Sequence, residues 1–113
     1  VNFIAGTGND LKIRHNGTKS IIENNTGHLE ITNTANDSDI VFQSDDGSGG
    51  TTEYFRLDGS SEINVFSKDT FFIDNVNLKI GSSGDLILLH DSSNSFINNV
   101  TAIKLTIQQM ILT

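Results

Sequence analysis

Apolar residues recur at every second position in short stretches of this chain: Leu11-Ile13-His15, Leu29-Ile31, Ile40-Phe42, Phe55-Leu57, Ile63-Val65, Leu78-Ile80, Leu86-Leu88-His90 and Ile103-Leu105-Ile107. A period of two is that of a strand with one covered face, so each stretch predicts a short β-strand. Turn formers cluster between them, at Asn16-Gly17, Asn24 to Gly27, Asp45 to Gly50, Asp58-Gly59-Ser60 and Gly81 to Gly84. Short strands with such regular punctuation fit a sandwich, a barrel or a stacked β-fibre.

Composition supports an all-β chain. The 113 residues include 13 Asn, 12 Ser, 11 Thr and 10 Gly, against 3 Ala, 4 Glu and 3 Gln, so turn formers and β-branched residues displace helix formers. Leu, Ile, Val and Phe make 35 residues, enough for a thin core only. A monomer of this size buries about two-thirds of its unfolded surface, and neighbouring chains are expected to help. Without cysteine there are no disulfides or thiolate metal sites, and the lack of proline suits a backbone whose donors enter sheet ladders.

A formal charge of −7, with only seven Lys and Arg, speaks against nucleic acid as a partner. No stretch approaches the roughly 18 apolar residues that a membrane span needs, so no membrane insertion is expected. Beginning at Val1, the chain reads as a piece of a longer or processed polypeptide.

An internal repeat orders these strands. Asp10-Leu11-Lys12-Ile13-Arg14-His15-Asn16 aligns with Asp85-Leu86-Ile87-Leu88-Leu89-His90-Asp91 at an offset of 75, and the match runs on through Ser20/Ser95, Ile22/Ile97 and Asn24/Asn99. The expected organisation is a first β-repeat unit over residues 1–83, with a motif block at 9–24 and a Phe-rich block at 52–80, and the start of a second unit over 84–113. A period this long points to a linear array.

The segments GTGNDLKIRHNGTKSIIENNTGHLEI and EYFRLDGSSEINVFSKDTFFIDNVNLKIGSSGDLILLHDSSNSFI resemble repeats of tail-fibre and other virion structural proteins of marine phages, cyanophages above all. In that family, blocks like DLxIxHDGxxSxI alternate with blocks like YFRLDG and FSKDxxFxDNVxxxIGxSGDL. The likeness covers residues 8–99, and residues 101–113 depart from it, lacking a Gly-Asp-Leu after Asn99. It implies a short-stranded repeat fibre of β-prism, β-helix-like or small β-sandwich units in an intertwined homotrimer. Such a part sits on the exterior of a virion, extracellularly, beside other tail proteins.

His15 and His90 continue the parity of their strands' apolar residues, and in a threefold fibre three copies of each would converge near the axis. A ring of imidazoles could hold a transition metal or an anion; the plainer expectation is that each histidine closes an apolar layer and bonds the adjacent turn at Asn16 or Asp91. Asp45, Asp46 and Gly47 form a candidate binding loop. The spacing of Asp37, Asp39, Asp45 and Asp46 does not match a calcium loop, and Asx-turns account for them more simply.

Catalysis is not expected, nor is any cofactor. Gly6-Thr7-Gly8 lacks the third glycine and the helix of a dinucleotide site, no Gly-x-Ser-x-Gly elbow occurs, and a carboxylate pair among Glu23, Glu30, Glu53 and Glu62 would lack a cleft-sized scaffold. The Phe residues at 55, 66, 71, 72 and 96 are expected to fill the interior where strands of three chains meet.

The expected function is structural and adhesive: a rigid trimeric β-rod that positions a receptor-binding tip for host attachment. The alternatives are a capsid-decorating or host-glycan-binding β-module contacting a cell-surface glycan or protein through Asp45 to Thr52, and a bacterial β-solenoid adhesin. Unequal spacings within the 75-residue unit disfavour a solenoid, which needs coils of constant length.

Overall fold

The computed structural model describes residues 2–100, 104 and 106–108. Its described residues form nine strands and no helix: β1 Asn2–Ala5, β2 Leu11–His15, β3 Ser20–Asn24, β4 Ile40–Asp45, β5 Thr51–Asp58, β6 Ile63–Phe66, β7 Leu78–Ile80, β8 Leu86–His90 and β9 Ser95–Asn99. They make three separate three-stranded sheets, in the orders β1-β2-β3, β4-β5-β6 and β7-β8-β9. Within each sheet, neighbouring strands are consecutive in sequence. By internal contacts the chain divides into two units, Val1–Val65 and Phe66–Thr113.

The first and third sheets are the same antiparallel meander, built twice. Leu11 faces Asn24 and His15 faces Ser20 in one; Leu86 faces Asn99 and His90 faces Ser95 in the other. Their turns match bond for bond. The Asn16 carboxamide accepts from the N–H groups of Thr18 and Lys19, as the Asp91 carboxylate accepts from those of Ser93 and Asn94. Likewise the Asp10 carbonyl accepts from Asn25 N–H at 2.7 Å, and the Asp85 carbonyl from Val100 N–H at 2.8 Å.

The structural repeat reaches back beyond the Asp10/Asp85 motif. Phe3 pairs with Ile13 and Ala5 with Leu11, as Leu78 pairs with Leu88 and Ile80 with Leu86. Between these strands the chain turns through a left-handed glycine, Gly6 at φ +86° or Gly81 at φ +97°, and a second left-handed residue, Asn9 at 59° or Gly84 at 70°. A Cβ on either first glycine would run into the carboxylate of Asp10 or Asp85. Glycine is therefore required twice over, by conformation and by space.

Three expectations need correction or extension. No strand forms at Leu29-Ile31, where two alternating residues stand between turn clusters, and both side chains are exposed. The strand expected at Ile103-Leu105-Ile107 lies largely outside the described residues. Strands β1, β3 and β9 were not signalled by alternation: Ser20-Ile21-Ile22 and Phe3-Ile4-Ala5 place apolar residues on both faces.

No side chain is buried among the described residues, apolar or polar. Phe55, Phe66, Phe71, Phe72 and Phe96, expected in an interior, are covered by no core of this chain alone; Phe71 is 87% exposed. No helix among the described residues is long and apolar enough to cross a membrane.

Candidate functional site

The register fixes which side chains share a face. In the first meander, Phe3, Ala5, Leu11, Ile13, His15, Ser20, Ile22 and Asn24 lie on one side. The opposite side carries Lys12, Arg14 and Glu23, with Ile4 and Ile21. There Arg14 Nη2 reaches Glu23 Oε2 at 2.9 Å and Lys12 Nζ reaches Glu23 Oε1 at 3.6 Å. Chiefly through the Arg14 hydrogen bond, then the Lys12 charge, the Glu23 carboxyl is held below its usual range.

Exposure on this sheet runs against the ordinary pattern. Phe3 is 60%, Ile13 45% and Ile22 60% exposed, whereas the side chains of Lys12, Arg14 and Glu23 are about one-third exposed or less. The charged face is the better covered one because its long side chains lie over each other. On the apolar face, Phe3, Ile13 and Ile22 are left exposed and Ala5 and Leu11 half-exposed.

Its rim is polar and satisfied. His15 Nδ1 lies 3.3 Å from Ser20 Oγ, and His90 Nδ1 lies 3.1 Å from Ser95 Oγ. Each histidine thus sits on the apolar side, as parity predicted, but its partner is the serine across the strand pair and not the turn residue Asn16 or Asp91. At the other end, Asn24 Nδ2 donates to the carbonyls of Thr26 and Gly27. Among the described residues, no three His, Asp or Glu side chains gather as a metal group would require.

The second meander differs on its reverse side. Ile87, Leu89 and Asn98 stand where Lys12, Arg14 and Glu23 stand in the first, and Phe96 replaces Ile21. Its reverse face is mixed, with Ile87, Leu89 and Phe96 beside Lys79 and Asn98. In the same unit, Phe72 and Val76 join Leu78, Leu88, His90 and Ile97 around a concavity of about 460 Å³. The segment before β7 is tied there by Asn75 N–H donating to the His90 carbonyl at 2.7 Å.

The second sheet is organised by Arg56. Its Nε, Nη1 and Nη2 reach Asp39, Glu53 and Asp58 at 3.2, 2.9 and 3.2 Å. The Asp58 carboxyl is driven down to about 2 from 3.8, first by the Ser61 N–H, next by the Ser60 hydroxyl and then by Arg56. On the other face Phe42 stacks on Phe55, with ring centres 4.4 Å apart and planes 13° from parallel. Sequence reading missed this cluster. Its signal was present in the sequence, since Arg56 stands between Glu53 and Asp58.

Asp45 ends β4 and Asp46 and Gly47 begin the turn to β5, and the two carboxylates are directed to the turn's own backbone. Gly47 N–H donates to Asp45 at 2.9 Å; Ser48 and Gly50 N–H groups donate to Asp46 at 2.7 and 3.0 Å. The Ser48 and Gly50 bonds hold the Asp46 carboxyl below its usual value. This is the Asx-turn arrangement expected of such a sequence.

No family model, curated protein or solved structure matches the chain.

Proposed function

We propose that this chain is a shaft or adapter segment of a homotrimeric phage tail fibre, a rigid β-rod that positions a receptor-binding tip for host attachment. One observation carries the reading: nine strands in three sheets, with no buried side chain among the described residues and open apolar faces. A three-stranded sheet is stable only when its apolar face is covered. Copies of the same chain cover it most simply, because the meander is built twice within the chain, 75 residues apart, as in a linear array.

The resemblance of residues 8–99 to phage repeats supplies the context, an extracellular virion part beside other tail proteins. In this reading the function is mechanical and not catalytic. His15 and His90, each on an apolar face, come to the axis as rings of three when the chains assemble.

Light scattering of the 113-residue chain tests the proposal. A trimer that resists heat and SDS is expected; a stable monomer defeats it.

A further inference from the structure

We infer that the docking surface between copies is the Phe3-Leu11-Ile13-Ile22 face of the first meander, and that its occupant is a second copy of this chain. This rests on the fibre reading above and adds to it the residues of the first meander through which one copy meets the next.

The charged side is already closed over by its own ion pairs, so covering it would require removing Lys12, Arg14 and Glu23 from water. The apolar side bears no Asp, Glu, Lys or Arg among its paired residues. Chains of net charge −7 repel one another, and they can approach closely only through a face that carries none of that charge. Its anatomy is that of an interface, an apolar centre with a satisfied polar rim at His15-Ser20 and Asn24.

Exposure and repetition select the occupant. Phe3, Ile13 and Ile22 are 60%, 45% and 60% exposed, so the face has apolar surface to give to another chain. The same face recurs as Leu78, Leu88 and Ile97, again ended by a histidine-serine pair. Another copy of this chain supplies a matching patch at each recurrence. A foreign partner would need the same 75-residue period.

Ile21 and Ile22 make the test, being neighbours on β3 that point to opposite faces. The chain has no cysteine, so Ile22→Cys and Ile21→Cys each introduce a single thiol. With a short bis-maleimide, Ile22→Cys is expected to give chains cross-linked to one another on a denaturing gel, and Ile21→Cys is not. In parallel, Ile22→Glu is expected to reduce the assembled mass towards the 12.3 kDa of one chain, with Ile21→Glu leaving it unchanged.

Cross-linking through Ile21→Cys alone, or dissociation by Ile21→Glu alone, overturns the inference while the fibre reading stands. Absence of cross-links from both thiols in an assembled wild type overturns it as well. A wild-type chain that is monomeric by light scattering defeats both. Should both Glu variants fail to fold, the cross-linking pair decides.

Discussion

Arg56 and Glu53 meet at 2.9 Å although residues three apart on a regular strand point to opposite faces. A β-bulge reconciles the two. Phe42 pairs with Phe55 and the next residue, Gln43, pairs with Glu53, so Tyr54 is the extra residue that flips the parity of β5. One inserted position thereby brings Glu53 to the side of Arg56 and leaves Phe55 stacked on Phe42 on the other.

Arg56→Met keeps most of the stem and removes the cation, leaving Asp39, Glu53 and Asp58 close to one another. The expected outcome is a Tm several degrees lower at neutral pH. The deficit should shrink in acid, where protonation relieves the repulsion. Thermal melts of both proteins across pH check this.

Asp58 has its own pH signature. Its folded value of about 2 lies below the ordinary 3.8, so its contribution is fully present above pH 3.8 and is lost as pH falls from there towards 2. Asp58→Asn should flatten that part of the acid limb. Carboxyl titration by NMR, with Asp58 midpoint near 2 in the wild type, provides the direct reading.

The Phe42–Phe55 stack is measurable by a double-mutant cycle. Phe42→Leu, Phe55→Leu and the double variant should reveal a coupling of about 0.5–1.5 kcal/mol, the usual worth of an aromatic pair beyond its burial. A coupling near zero would show the stack to be without energetic weight.

Gly6 and Gly17 both have φ near +90°, but a Cβ meets Asp10 at the first and open space at the second. Gly17→Ala should cost about 1 kcal/mol for backbone conformation alone. Gly6→Ala should cost more, because Asp10 must also move and its Oδ1 accepts the Thr26 hydroxyl at 2.8 Å. Chemical denaturation of the two variants gives the difference.

Transplanting Lys12, Arg14 and Glu23 onto the second meander, as Ile87→Lys, Leu89→Arg and Asn98→Glu, tests whether its reverse side is covered. Ile87, Leu89 and Phe96 give that side an apolar patch beside Lys79 and Asn98, and such a patch, where another chain covers it, does not tolerate three added charges. The triple variant is therefore expected to lower Tm and weaken assembly, beyond the 0–1 kcal/mol that new surface ion pairs return. Unchanged size and Tm would place that face in water.

Alternation made β2, β4, β5, β6, β7 and β8 legible, and the 75-residue offset announced that one meander is built twice. Alternation failed at β3 and β9, where Ile21-Ile22 and Phe96-Ile97 load both faces and blur the period of two. It overreached at Leu29-Ile31, because two apolar residues define a parity but not a pairing partner. The bulge at Tyr54 has no signature in residue type, and so the ion cluster that depends on it was hidden even though each of its charges was in view.

The sequential pairing of strands has a kinetic consequence. Each meander closes only short loops between adjacent segments, and such hairpins form within microseconds in a single chain. In the trimer proposed above, covering their apolar sides depends instead on collisions between molecules. Refolding should therefore separate into a fast phase independent of concentration, reporting strand formation, and a slow one that accelerates as the solution is made more concentrated.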